Sequence, residues 1–242
     1  PAGARHASAI IAVSAATKRD VVRTLNVPED KVHVVYEAAA PEFQPLPRSA
    51  ALEAVRCKYG LPESFALYVG TIEPRKNLVR LFEAFQLVRR QGCRSSVLAL
   101  VGNRGWSDEA ILASIERMHL QDAVRILGHA PTDDLVALYN LADLLVLPSL
   151  YEGFGLPVIE AMACGTPVVT SPNGSLAEIA GDAAEYVDPT RVDSIASGMR
   201  AVLDDRDRNT ALRAAGLRRA AQFSWAATAE QTRRVYEAVA RA

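Results

Sequence analysis

Val97, Leu98, Ala99, Leu100 and Val101 are five apolar residues in a row, stopped by Gly102. A strand with no polar face has to be covered on both sides, as in a parallel sheet layered between helices. Counting this run as 97–102, strands are expected also at 9–13, 32–36, 66–70, 124–128, 144–147, 167–170 and 185–187. Between them the spacing turns helical. Over 77–90, Leu78, Leu81, Phe82, Phe85 and Val88 recur every three or four residues and form one stripe. Further helices are expected to begin near Ser107, Asp133, Pro157 and Val192, and a last one after Ser224, its expected N-cap. This alternation predicts an α/β fold doubly wound about a parallel sheet.

At 242 residues a compact chain removes roughly three quarters of its unfolded surface from water, enough for a core without staples. The 27 Lys and Arg balance 28 Asp and Glu, so no global positive field favours nucleic acid or an anionic membrane. Cys57, Cys93 and Cys164 are odd in number and widely spaced, which reads as unpaired thiols in a reducing compartment and points to the cytoplasm. No run approaches the roughly 20 apolar residues of a membrane span. The start at Pro1, without a methionine or a signal peptide's apolar segment, leads us to expect a piece of a longer protein. The proline-rich stretch Ala38 to Pro47 suggests a hinge. Residues 1–40 are then the closing strand-helix-strand of one domain and 41–242 a second domain.

The segment with most chemistry is 148–167. Its strand feeds Glu152, Gly153, Phe154, Gly155, Leu156 and Pro157, and Glu160 follows Glu152 with seven residues between. Pro157 suits a first helical turn, where its missing N–H costs nothing. Backbone N–H groups of Gly155 and Leu156 at that helix start would favour a phosphate or sugar oxygen. Two carboxylates so placed can accept hydrogen bonds from vicinal hydroxyls of a ribose or hexose. The plainer alternative is a solvated Glu152 and a Glu160 stabilised by the helix dipole by roughly 0.3–1 kcal/mol. Glycines on either side of Phe154 weigh against it, since they allow close backbone approach to a ligand.

The second segment is 67–77, a strand end followed by Gly70, Thr71, Glu73, Pro74, Arg75, Lys76 and Asn77. Cations at a helix N-terminus oppose the dipole unless an anion balances them, which suggests a phosphate. A salt bridge to Glu73 or simple solvation is the competing explanation. Because ligands of parallel sheets bind at the carboxyl ends of strands, two such loops reinforce each other. Asn103 and His129 follow two further strand ends and join the candidate set. The histidines lack metal-ligand spacing and no Asp-x-Asp occurs, so no metal is expected. No Gly-x-Ser-x-Gly elbow is present, and Cys164 reads as core.

At these residues the chain resembles glycosyltransferase family 4, the retaining group with the GT-B fold that uses nucleotide-sugar donors. Residues 152–169 resemble its Glu-x7-Glu signature and 70–77 its phosphate loop, and similarity runs from about Ala7 to the terminal helix. The resemblance implies a Rossmann-like C-terminal donor half plus a short remnant of the N-terminal acceptor domain, most of which is absent. It implies that Lys76 and Arg75 hold the donor diphosphate and stabilise it as it leaves. Glu160 would hold the ribose, Glu152 with Gly153 and the Phe154, Gly155 and Leu156 backbone the transferred sugar, and Gly70 and Thr71 the phosphate approach. It requires no metal or other cofactor. Thr71 stands where many members have arginine, and Glu37 to Ala40 replace a common Asn-Gly-Val-Asp.

The Gly105-Trp106 pair is similar to that of bacterial mannosyltransferases of the family, which implies GDP-mannose ahead of UDP- and ADP-sugars. The acceptor implied is a glycan or lipid-linked glycan, met in the cytoplasm or at the inner membrane face. The rival readings are a sugar-nucleotide epimerase or phosphorylase on a similar scaffold and a non-catalytic Rossmann-like binding module. In the transferase reading, alanine at Lys76 and Glu160 is expected to abolish nucleotide binding with little change in melting temperature.

Overall fold

The computed structural model describes residues 2–92 and 95–241. Cys93, expected as a free thiol, lies outside them. Among the described residues eight strands form, each overlapping an expected run: β1 (Ile10–Ala12), β2 (Val32–Val34), β3 (Phe65–Val69), β4 (Val97–Val101), β5 (Val124–Gly128), β6 (Leu144–Leu147), β7 (Val168–Thr170) and β8 (Ala184–Tyr186). The helices are α1 (Ala2–His6), α2 (Ala15–Leu25), α3 (Ala50–Lys58), α4 (Leu78–Arg90), α5 (Glu109–Arg117), α6 (Thr132–Leu141), α7 (Leu156–Ala163), α8 (Leu176–Ala180), α9 (Val192–Leu203), α10 (Arg206–Ala220) and α11 (Trp225–Arg241).

Strands β3 to β8 make one parallel sheet in the order β5-β4-β3-β6-β7-β8. Every residue of β3, β4, β6 and β7 is buried, as the apolar sequences of the first three require, and the one hydroxyl of β7, that of Thr170, donates to the Leu147 carbonyl. The order runs outward in one direction from β3 and in the other from β6. The carboxyl ends of this adjacent pair are therefore the topological switch point, where doubly wound sheets hold their ligands. The loops β3–α4 and β6–α7, the two singled out by sequence, both leave from it.

Helix α4 buries Leu78, Leu81, Phe82, Phe85 and Val88, the expected stripe. Helix α10 carries no such signal, because only Leu212 and Gly216 are buried. It packs instead by close approach: a Cβ on Gly216 would lie 3.2 Å from Met162 Cγ of α7. Ser224 does cap α11, accepting from Ala227 N–H at 3.2 Å.

The first two strands form a separate parallel pair over a small cluster of Ala12, Val27 and Val32. This unit is fastened to the larger one. Thr228 of α11 donates to the Tyr36 carbonyl at 2.6 Å, and Tyr36 and Phe223 meet edge to face at 5.7 Å. The stretch expected to be a hinge is pinned over its second half: Phe43 packs edge-on to Tyr139 at 5.8 Å, and Leu46 N–H donates to Asn140 Oδ1 at 2.7 Å.

Candidate functional site

Local geometry alters the reason for the cations at 75–76 while keeping the residues. Pro74–Lys76 is a 3-10 turn, and Asn77 after it has φ of 62°, so α4 begins only at Leu78. Arg75 and Lys76 thus lie outside the first turn of α4, and the dipole argument does not reach them. Asn77, capable of this left-handed conformation, spans the crevice floor: its Nδ2 donates to the carbonyls of Pro148 at 3.0 Å and Pro189 at 2.7 Å. That ties the β3 loop to the β6 and β8 loops.

Glu152 is the anion that balances the pair. Lys76 Nζ lies 2.6 Å from its Oε1 and Arg75 donates to its Oε2 at 2.9 Å, while Ser149 Oγ adds 2.7 Å to Oε1. Arg75 also pairs with Glu73 at 2.6 Å. Burial pulls the Arg75 guanidinium downward, but the Glu152 and Glu73 carboxylates outweigh it and hold its pKa above the usual value. Of the explanations weighed for Arg75, the salt bridge to Glu73 is present, and Glu152 adds a second carboxylate that was not foreseen. A solvated Glu152 is overturned: the residue is buried because three donors replace its water. The burial of Lys76 also corrects the expected near-unchanged melting temperature on its removal.

Serines that sequence reasoning passed over hold this loop. Ser175 donates from Oγ to the carbonyls of Glu152 at 3.1 Å and Phe154 at 2.7 Å, and its N–H also reaches the Glu152 carbonyl. Ser171 fixes the Ser149 carbonyl at 2.6 Å. The Phe154 ring is buried among Tyr36 and Phe223, with centroids at 6.5 and 6.1 Å, so this aromatic anchors the turn from below. Gly155 then opens α7 without a side-chain cap, with Leu156 its first residue and Pro157 in its first turn.

The remaining candidates divide. Gly70, Thr71 and Asn103 are brought together, Gly70 N–H donating to the Val101 carbonyl and Ile72 N–H to that of Asn103. Gly70 leaves room for Tyr68, whose hydroxyl a Cβ would meet at 2.8 Å, with Lys76 Cε at 3.6 Å. His129 is exposed on the same rim, beyond the Gly102–Gly128 hydrogen bond. Glu160 lies one turn into α7 and accepts from the buried Tyr139 hydroxyl at 2.9 Å. Cys164 is core, its thiol pushed up to about 12 by burial. Among the described residues no three His, Cys, Asp or Glu side chains group as a metal site would need.

Burial raises the Glu160 carboxyl above its ordinary value of 4.5, and the Tyr139 hydrogen bond only partly opposes this. The folded chain then keeps this proton to higher pH than the unfolded one. Its contribution to stability is complete below about pH 4.5 and is lost as pH rises through the folded value. Glu160→Gln is expected to flatten that decline between pH 5 and 8. Urea denaturation at both pH values checks it, and an identical decline in the two proteins refutes it.

A family model described as glycosyl transferases group 1 matches residues 56–219. The O-antigen chain mannosyltransferase B of Escherichia coli is 38% identical over 232 residues, 96% of this chain and 61% of that protein. Sucrose-phosphate synthase from Thermosynechococcus elongatus superposes with a TM-score of 0.81 at 28% identity, over 98% of this chain and 60% of the other. Anabaena HepE in complex with UDP and glucose gives 0.83 at 20% identity, over 98% and 64%. The chain thus spans about three fifths of the length of each. No helix among the described residues is long and apolar enough to cross a membrane.

Proposed function

This chain belongs to the group 1 glycosyl transferases, and on that premise we propose that it is the donor-binding part of a retaining glycosyltransferase that moves mannose from GDP-mannose to a glycan or lipid-linked acceptor. The observation that carries the reading is the buried Lys76–Glu152 contact of 2.6 Å at the switch point of the sheet. An ammonium has three donors and Glu152 takes one, leaving two for a diphosphate. Of roughly four acceptor positions on Glu152, three are filled, which leaves one for a sugar hydroxyl. Glu160 would take the ribose hydroxyls, one turn further along α7.

In the reaction the bond from the anomeric carbon to the diphosphate breaks with its electron pair going to the phosphate, as the acceptor oxygen bonds to that carbon and gives its proton to the departing phosphate oxygen. Negative charge gathers on the departing phosphate, where Lys76 and Arg75 stabilise it from fixed positions. Glu152 orients the sugar and faces the positive ring, without becoming a covalent nucleophile. The mannosyl choice is supported by the Escherichia coli relative's name, and a nucleotide-sugar donor by the UDP and glucose of HepE. We further assign residues 1–40 to the end of an acceptor-side domain. Exposed Ile11, Tyr236 and Val239 around β1 and α11 are the apolar surface such a domain would cover. Residues that orient the acceptor then belong to that domain, in the cytoplasm or at the inner membrane face, and this chain alone binds nucleotide while transferring sugar poorly.

A thermal-shift panel of GDP, UDP, ADP and their sugars tests the reading. A ligand at a hundred times its dissociation constant adds about 2.7 kcal/mol, raising the melting temperature by roughly 5–10 °C. GDP and GDP-mannose are expected to give the largest rise. No rise with any nucleotide would sink the proposal, and a larger rise with UDP or ADP would sink its choice of donor.

A further inference from the structure

Three consecutive carbonyls, those of Glu152, Gly153 and Phe154, are each held by a hydroxyl, and the middle one is held from the other unit of the chain. Ser14 Oγ donates to the Gly153 carbonyl at 2.6 Å and Thr17 Oγ1 to the same oxygen at 2.9 Å. Ser14 is the N-cap of α2 and fully buried, so its hydroxyl caps the helix through Thr17 N–H while reaching across to the loop. The first two N–H groups of α2, from Ala15 and Ala16, donate to the two carboxylate oxygens of Glu178 at 2.7 and 3.0 Å. Glu178 sits in α8, three residues after Ser175, which holds the outer two carbonyls. The start of α2 is thereby docked on both sides of the Glu152 loop.

Gly153 has no side chain to restrict its own backbone, so fixing its carbonyl, together with that of Glu152, limits the paths open to the loop that carries the Glu152 carboxylate. We propose that Ser14 and Thr17 are positioning residues for the donor sugar: through the Gly153 carbonyl they set the direction of Glu152, and so place control of the sugar subsite in the N-terminal unit. This rests on the reading of Glu152 as the sugar-binding carboxylate. The diphosphate depends instead on Arg75 and Lys76, which α2 reaches through Tyr151, whose hydroxyl donates to Asp20 and whose carbonyl accepts from Arg75, a link that runs from Asp20 and not through the Gly153 carbonyl. Loss of the two hydroxyls should therefore weaken the sugar's share of binding and spare the nucleotide's.

Calorimetric titration of this chain with GDP and with GDP-mannose separates the shares. In the Ser14→Ala/Thr17→Val protein, affinity for GDP-mannose is expected to fall about tenfold and that for GDP less than threefold. The Ser14→Thr/Thr17→Ser protein keeps both hydroxyls and is expected to recover most of the loss. A fall that is equal for both ligands, or no fall in either, overturns the inference and leaves the reading of the nucleotide site standing. If the unaltered chain binds neither ligand, that reading fails and this one with it. Hydrogen exchange of the ligand-free chain gives a second readout. The double variant should exchange faster over 150–156 with 65–80 unchanged, and equal rates over 150–156 in both proteins also overturn it.

Discussion

Lys76→Ala is expected to lower GDP affinity about a hundredfold and to destabilise the chain by about 3 kcal/mol. The Lys76 side chain is only 10% exposed and its partner Glu152 only 8%, so the change strands a carboxylate that water cannot reach. Breaking such a pair costs about 3–5 kcal/mol, and the lower figure applies because Arg75 and Ser149 still hold Glu152. The binding loss has a separate origin in the proposed site, removal of a cation whose remaining donors would face the diphosphate. Replacing both partners, Lys76→Met with Glu152→Met, separates the two. Taking away the whole pair should restore most of the stability, since no charge is left buried alone, yet restore no binding. Urea denaturation and calorimetric titration with GDP read the two quantities. If Lys76→Ala binds GDP like the unaltered chain, the lysine serves only to neutralise Glu152 and the anion site lies elsewhere.

That residue pair was legible in the sequence for a physical reason that only half survived. Adjacent cations before an amphipathic helix demand an anion, and the sequence reading offered Glu73 or a phosphate. The structure supplies Glu152 from 76 residues away. The strands were legible because β3, β4, β6 and β7 are buried on both faces and cannot hide among polar residues. Helix α10 was not, since it packs through Gly216 and Leu212 without a stripe. Ser14, Thr17, Ser149, Ser171 and Ser175 were invisible for a different reason. A serine's value as a donor lies in which carbonyl it meets, and Ser14 meets Gly153 across 139 residues of chain. Nothing local marks it beyond its suitability as an N-cap. Loop chemistry and spacing thus singled out Lys76, Arg75 and Glu152, while the hydroxyls that meet the Glu152 loop needed the fold.

Gly174 belongs to that frame, and Gly174→Ala is expected to destabilise the chain by about 3 kcal/mol or more and to abolish GDP-mannose binding. Its φ of 63° is left-handed, and a Cβ there would stand 2.3 Å from the Glu152 carbonyl oxygen and 2.8 Å from its nitrogen. Those atoms are backbone and cannot swing aside. Moving them breaks the bonds from Ser175 and carries Glu152 away from Lys76. Gly102 shows the same crowding on the neighbouring loop, where a Cβ would lie 2.1 Å from the Gly70 carbonyl oxygen. Gly60 provides the control: its φ is 60°, but nothing lies within 4 Å of an added Cβ. Gly60→Ala should therefore carry only the cost of the left-handed backbone, about 1 kcal/mol, and leave binding intact. Measured side by side by denaturation and titration, the difference between the two variants isolates the clash with Glu152. Equal destabilisation would mean that the Glu152 backbone yields freely, and a loop that yields freely cannot hold a sugar in register with its leaving group.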